Sequence, residues 1–228
     1  MNLLTENELI WSAVIANNRM NRKRKASGIN SYEQELKFKP EQFLNDAMAT
    51  HNPVKWLDLC CGEANALLQY AGELAEKGMQ DKALLEGVDL VDQFQPIPPN
   101  ITCLKLKIQP LNNWVADGSY HLITCIHGLH YIGDKLAVIK TALQAISDGG
   151  LFIANIDLAN IKVRGDRNSQ YLRRFFTDNK IDFNARKKII KCEGPRFISI
   201  PLSYLGADDK AGPNYTGQEV VDSYYEIQ

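Results

Sequence analysis

No run of ~18 apolar residues occurs anywhere in the 228-residue chain, so no membrane-spanning helix is expected. An excess of one charge sign is missing too. The 26 Lys and Arg are balanced by 27 Asp and Glu, leaving a formal net charge of -1. No global field therefore points to nucleic acid or a membrane, and both are unfavoured as partners. Cysteine is scarce and unpatterned: five residues, Cys60 and Cys61 adjacent, and no C-x-x-C pair. That excludes a disulfide framework and fits a reducing cytoplasm. Internal repeats and low-complexity tracts are absent. The opening "MNLLTENELIWSAVIANNRMNRKRK" lacks the basic-then-apolar order of a secretory signal. What remains is the composition of a soluble cytoplasmic domain, 45% apolar and 23% charged.

The first 50 residues look helical and polar-faced, and are expected to form an N-terminal cap on a domain covering 51–228. A helix is expected over 5–18, a second helical region from Ser31, and a third over 40–49 with Pro40 in its first turn. From Pro53 the pattern changes to alternating strands and helices. "VKWLDL" (54–59) is a nearly continuous apolar run, as suits a strand covered on both faces. Leu67, Tyr70, Ala71, Leu74 and Ala75 recur at helical spacing, closed by Gly78. Strands follow at 83–90, 101–106, 120–126 and 151–156, with a helix over about 136–146 closed by Asp148-Gly149-Gly150. This order predicts an α/β, Rossmann-like, doubly wound and mostly parallel sheet of about seven strands, the last antiparallel. A basic helix is expected near 166–176. "RFISIPLSYLG" and "YTGQEVVDSYYEI" are expected to pair antiparallel at the sheet edge.

Ligands of an open α/β sheet bind beyond the carboxyl ends of its strands. "LDLCCGEAN" (57–65) runs from the first strand into that region. Gly62 lets the backbone turn sharply and approach a ligand. Asp58 is a charge at the end of a buried strand and requires a partner, either turn amides or a ligand ammonium. Adjacent cysteines with diverging side chains make a poor metal site, and no metal is expected. Asp89 ends the neighbouring strand "GVDL", where a carboxylate accepts both hydroxyls of a ribose.

Together "VKWLDLCCGEANALL", "LLEGVDL" and "YHLITCIHGLHYIGDKLAVIKTALQAISDGGLFIANI" resemble the class I S-adenosylmethionine-dependent methyltransferases over about residues 50–157. In that family the first-strand motif is acid-x-Gly-x-Gly-x-Gly, and the matching positions are Asp58, Cys60, Gly62 and Ala64. The resemblance implies S-adenosyl-L-methionine as cofactor. It places Asp58, Cys60, Gly62 and Asn65 at the cofactor's floor, Asp89 on its ribose and Leu90 beside the adenine. Many family members carry an acid after the third strand to hold the adenine amino group. This chain reads "KLKIQPLNNW" instead and offers Gln109 or the backbone near Ile108. N-terminal segments of the family commonly close over the cofactor, where Tyr32 would bond the methionine carboxylate.

In the family the stretch "CIHGLHYIGD" (125–134) borders the transferred methyl, which puts Ile126 and His127 against the cofactor. His127 and His130 are the candidate bases, because imidazole titrates near neutral pH. Tyr131 and Tyr215 are the candidate acceptor-binding residues. The Asn/Asp-Pro-Pro-aromatic and Pro-Cys motifs of base-modifying methyltransferases are missing. That points to an oxygen or nitrogen of a small molecule as acceptor, in a monomer or homodimer. Two other readings stand beside it: an RNA or protein methyltransferase docking through the basic run 19–25, and a non-catalytic binder of the cofactor or its demethylated product.

Overall fold

The computed structural model of the protein describes residues 2–16, 23–112 and 114–228. The N-terminal segment forms four short helices: α1 (Glu6–Leu9), α2 (Ala13–Ala16), α3 (Tyr32–Leu36) and α4 (Pro40–Ala47). Each of α1, α3 and α4 has a local reason to start where it does. Thr5 and Glu8 form a capping box on α1, Ser31 Oγ accepts from Gln34 N at 3.2 Å on α3, and Pro40 opens α4. The expected first helix is thus two pieces, and its last two residues lie outside the described chain. Arg19 and Arg22 of the basic run also lie outside it.

A strand–helix alternation follows: β1 (Val54–Leu59), α5 (Asn65–Glu76), β2 (Ala83–Asp89), β3 (Leu104–Ile108), β4 (Tyr120–Cys125), α6 (Lys135–Gln144) and β5 (Ile146–Asn155). After these come β6 (Ile161–Val163), α7 (Gln170–Asp178), β7 (Asp182–Asn184), β8 (Ile189–Glu193), β9 (Leu202–Asp208) and β10 (Asp222–Ile227). The main sheet has seven strands in the order β3-β2-β1-β4-β5-β8-β7. Its first five are parallel, and β8, the last in chain order, runs antiparallel to β5. Strand order reverses between β1 and β4.

Period-two alternation along β1 divides the core into two layers. Val54 and Trp56 pack with α4 and α5 through Leu44, Leu67, Tyr70 and Leu74. Leu57 and Leu59 face the opposite way, into Leu136, Ile139 and Leu143 of α6 and Leu172 and Phe176 of α7. Tyr32 and Leu36 of the N-terminal segment are buried in the first of these layers.

Two expectations are corrected. The last two strands do pair antiparallel, but in a separate three-stranded sheet ordered β6-β10-β9, not at the edge of the main one. The main sheet is completed instead by "DFN" and "IIKCE", runs too short and too charged to stand out by pattern. Asp148-Gly149-Gly150 does not close α6, which ends at Gln144 with Ala145 as its C-cap. It lies inside β5, where the register against β4 shifts.

A buried amine joins the small sheet to α6. Lys135, fully buried at the start of α6, donates to Ile132 O (2.7 Å), Val221 O (2.8 Å) and Ser223 Oγ (2.7 Å). All three acceptors are neutral, and burial pushes its pKa from 10.5 down to about 7. Between those values the unfolded chain holds more protons than the folded one, so this group makes stability rise with pH across that window. Urea unfolding at about pH 7 and 9 should show that rise, and Lys135→Met should remove up to about 1.4 kcal/mol per pH unit of it. An unchanged pH slope in the variant would contradict the assignment.

Candidate functional site

The corner after β1 is held by backbone geometry more than by side-chain chemistry. Cys60 (φ 56°), Gly62 (φ 61°) and Ala64 (φ 62°) are all left-handed. These are the three alternating positions at which the resembled motif has glycine. The chain therefore keeps the conformation of a glycine turn with one glycine in place. Each non-glycine residue there carries a conformational cost of about 1–2 kcal/mol.

Asp89 holds the turn in place. Its Oδ2 accepts from Gly62 N at 2.8 Å, and its Oδ1 accepts from Val91 N at 3.1 Å. Cys61 N donates to Val88 O at 3.1 Å. One carboxylate thus ties the loop after β1 to the loop after β2. A carboxylate accepts up to about four hydrogen bonds.

Asp58 lies beneath the corner, with no exposed surface. Tyr32 Oη donates to its Oδ2 at 2.7 Å, and Thr124 Oγ1 to its Oδ1 at 2.6 Å. Burial, opposed by these two donors, raises its pKa from 3.8 to about 7. Tyr32, expected at a cofactor carboxylate, is fully buried and has its hydroxyl on Asp58 in this structure.

A cleft of about 850 Å³, measured to its open mouth, lies over this floor. Of the residues expected at the site, Cys60, Gly62, Asp89, Leu90, Gln109 and Tyr131 line it. Glu6, Leu9, Ile10 and Ile15 of the N-terminal segment form a further wall that no motif announces. Gly128 also lines the cleft and must be glycine. A Cβ built there would stand 2.4 Å from Cys60 Cβ and 2.8 Å from Cys125 Sγ. Among the described lining residues there is no Lys, Arg or His, while Glu6 and Asp89 are acidic.

Several expected residues do not line the cleft. Ile108 is 57% exposed at the end of β3, whereas Gln109 N bonds Asp89 O at 2.8 Å. Asn65 begins α5 with its Nδ2 3.2 Å from Glu63 Oε2. Ile126 is fully buried. The Cys60 thiol, bonded to Cys125 and desolvated, is held well above the ordinary thiol range, and burial does the same for Cys61. Neither is poised as a thiolate.

His127 and His130 are placed by a single turn of 3-10 helix, Gly128–Tyr131. Residues three apart eclipse on such a turn. Gly128 and Tyr131 share the cleft side; His127 and His130 share the other. His127 Nε2 is 3.1 Å from Glu35 Oε1, which is also within 3.2 Å of Arg24, counting either carboxylate oxygen. Neither ring nitrogen of His127 makes a well-aligned hydrogen bond. His130 is fully buried, with Nε2 3.5 Å from the hydroxyl of Tyr215, itself half-exposed outside the cleft. Burial, reinforced by His127, lowers the His130 pKa to about 3. Such an imidazole is neutral at pH 7 and a weak base.

A strand order reversing over a glycine-type corner, with an acid at the end of the next strand, defines a nucleotide-cofactor α/β domain. A family profile described as methyltransferase domain matches residues 22–188, and the chain belongs to that family. Similar folds include YjhP of E. coli (15% identity, TM-score 0.37, 51% of this chain and 49% of that one). Coclaurine N-methyltransferase bound to N-methylheliamine and SAH aligns at 13% identity (TM-score 0.41, 64% and 41%). The DhpI–SAH complex aligns at 15% (TM-score 0.41, 72% and 87%). The chain spans about half or less of the first two. No curated protein matches it.

Tyr32→Phe removes a buried donor to a carboxylate, a change worth about 1.5–3 kcal/mol. The loss should be larger at pH 8, where Asp58 is ionised, than at pH 5, where the folded state keeps it protonated. Urea unfolding at both values measures it, and a pH-independent loss would refute the Asp58 assignment.

Proposed function

We propose that the protein is an S-adenosyl-L-methionine-dependent methyltransferase acting on an oxygen or nitrogen of a small molecule. The observation that carries this reading is the cleft over Cys60, Gly62 and Asp89 in a chain of the methyltransferase domain family. The residues present suit the cofactor. Asp89 stands where ribose hydroxyls would be accepted, Leu90 and Gln109 flank the adenine position, and the turn 60–64 brings backbone close to the methionine end. A cleft lined by two carboxylates and, among the described residues, no cation favours a sulfonium cation. That coclaurine N-methyltransferase and DhpI were solved with SAH supports the choice.

The cofactor supplies an electrophilic methyl. Held by Asp89, Leu90, Gln109 and the turn 60–64, it would present that methyl to the acceptor's lone pair, with its sulfur as the leaving group. The chain's task is then alignment and exclusion of water, worth up to ~7–11 kcal/mol in well-oriented systems. Leu9, Ile10 and Ile15 close the cleft, and Tyr131 faces the acceptor. His127 and His130 hold the turn that carries Gly128 and Tyr131. The acceptor's proton leaves to solvent.

Isothermal titration with S-adenosylmethionine and S-adenosylhomocysteine should give micromolar binding, and its absence for both would sink the reading. Asp89→Ala should weaken both by more than about tenfold, the loss of charge-assisted hydrogen bonds to two hydroxyls. Unchanged affinity would refute the ribose role. A labelled-methyl screen of cell extract, split into small molecules, RNA and protein, identifies the acceptor class. Label confined to macromolecules would overturn the small-molecule assignment.

A further inference from the structure

The near-zero net charge conceals a strong segregation. Residues 161–196 carry eleven Lys and Arg against four Asp and Glu, whereas the rest of the chain carries fifteen against twenty-three. The structure brings Lys162, Arg173, Lys180 and Lys188 together around α7 and puts Arg186 and Lys187 on the turn joining β7 to β8 at the edge of the main sheet.

Two open recesses meet at Arg173. The charged residues of one are Arg173, Lys180 and Asp182, and those of the other Arg173, Lys162, Lys188, Asp157 and Asp166. Some of the charge is internally neutralised: Lys162 by Asp222, Arg164 by Glu226, Arg174 by Asp178, Lys188 by Asp157 and Lys191 by Glu193. Arg167, Arg173, Lys180, Arg186 and Lys187 are exposed and make no ion pair with an acid among the described residues. Arg173 lies over the Phe183 ring at 5.5 Å, which fixes its guanidinium at the junction of the recesses.

We propose that this face is a docking surface for the phosphate backbone of a nucleic acid strand. The spacing of the charges selects a polyanion. Arg167 precedes α7, Arg173 lies on it and Lys180 follows it, the helix itself being about 13 Å long, and Arg186 and Lys187 lie beyond on the β7–β8 turn, so the set reaches farther than one phosphate or carboxylate. A nucleic acid strand presents a charge every ~3.4 Å over such a length. The surface is ill suited to insert into a membrane, because none of the exposed large apolar side chains of the described residues falls between 161 and 196. The inference is independent of the identity of the methyl acceptor and of the basic run 19–25.

Fluorescence anisotropy of a labelled RNA strand and a labelled DNA duplex of about 20 nucleotides, titrated with the full chain between about 50 and 200 mM salt, tests it. Binding to one or both is expected, with log affinity falling against log salt at a slope of about -3, as about four phosphate contacts require. Arg173→Glu, Lys180→Glu, Arg186→Glu and Lys187→Glu combined should weaken binding at least tenfold and flatten the slope by about 3. Should that variant lose its fold by circular dichroism, Arg186→Glu with Lys187→Glu, both on an exposed turn, should flatten it by about 1.5. Replacing Lys37, Lys77, Lys82 and Lys105 by Glu changes net charge equally and should leave binding within about twofold. No binding of either nucleic acid at about 50 mM salt, or equal weakening by the control set, would overturn the proposal. Capture of the chain by polyglutamate or anionic vesicles without nucleic acid binding would overturn it too.

Discussion

A single buried carboxylate joins the parts of this molecule. Asp58 receives a hydroxyl from Tyr32 of α3 and one from Thr124 of β4. It thereby binds the N-terminal segment to the two central strands at the point where strand order reverses. Leaving such a group unpartnered costs several kcal/mol, so segment and sheet are mutually dependent. Directly above, Asp89 performs the complementary task through backbone amides, holding the loops after β1 and β2 together. The cleft floor is shaped by these two acids, one hidden and one facing the ligand space.

That arrangement explains how a degraded glycine motif keeps its form. Cys60 and Ala64 are forced left-handed by the same closure that Gly62 adopts without strain. Gly128 makes room for the Cys60 side chain that glycine would not have had. The altered residues therefore act as a matched set: a larger side chain on one loop requires the absence of one on the next.

Much of this was legible in the sequence. The strands β1, β2 and β4 are legible as apolar runs, β1 and β4 being buried on both faces, and Asp58, Gly62 and Asp89 follow from their position at strand ends. The strands β7 and β8 are not, because three to five residues with interspersed charge carry too little periodicity. β9 and β10 were found as a pair but assigned to the wrong sheet, since partner choice depends on tertiary placement and not on local pattern. The histidines were judged by residue type. Their direction depended on a 3-10 turn, which sends positions 127 and 130 one way and 128 and 131 the other. The cleft wall from α1 and α2 had no signal, being ordinary apolar residues on short helices.

The central claim is that the corner 60–64 and the loop 89–91 together hold the cofactor. Amide hydrogen exchange with and without S-adenosylhomocysteine tests this directly, because bound ligand should slow exchange at Gly62 and Val91 while leaving β8 and α7 unchanged. Slowing confined to other regions, or absent at saturating ligand, would contradict it.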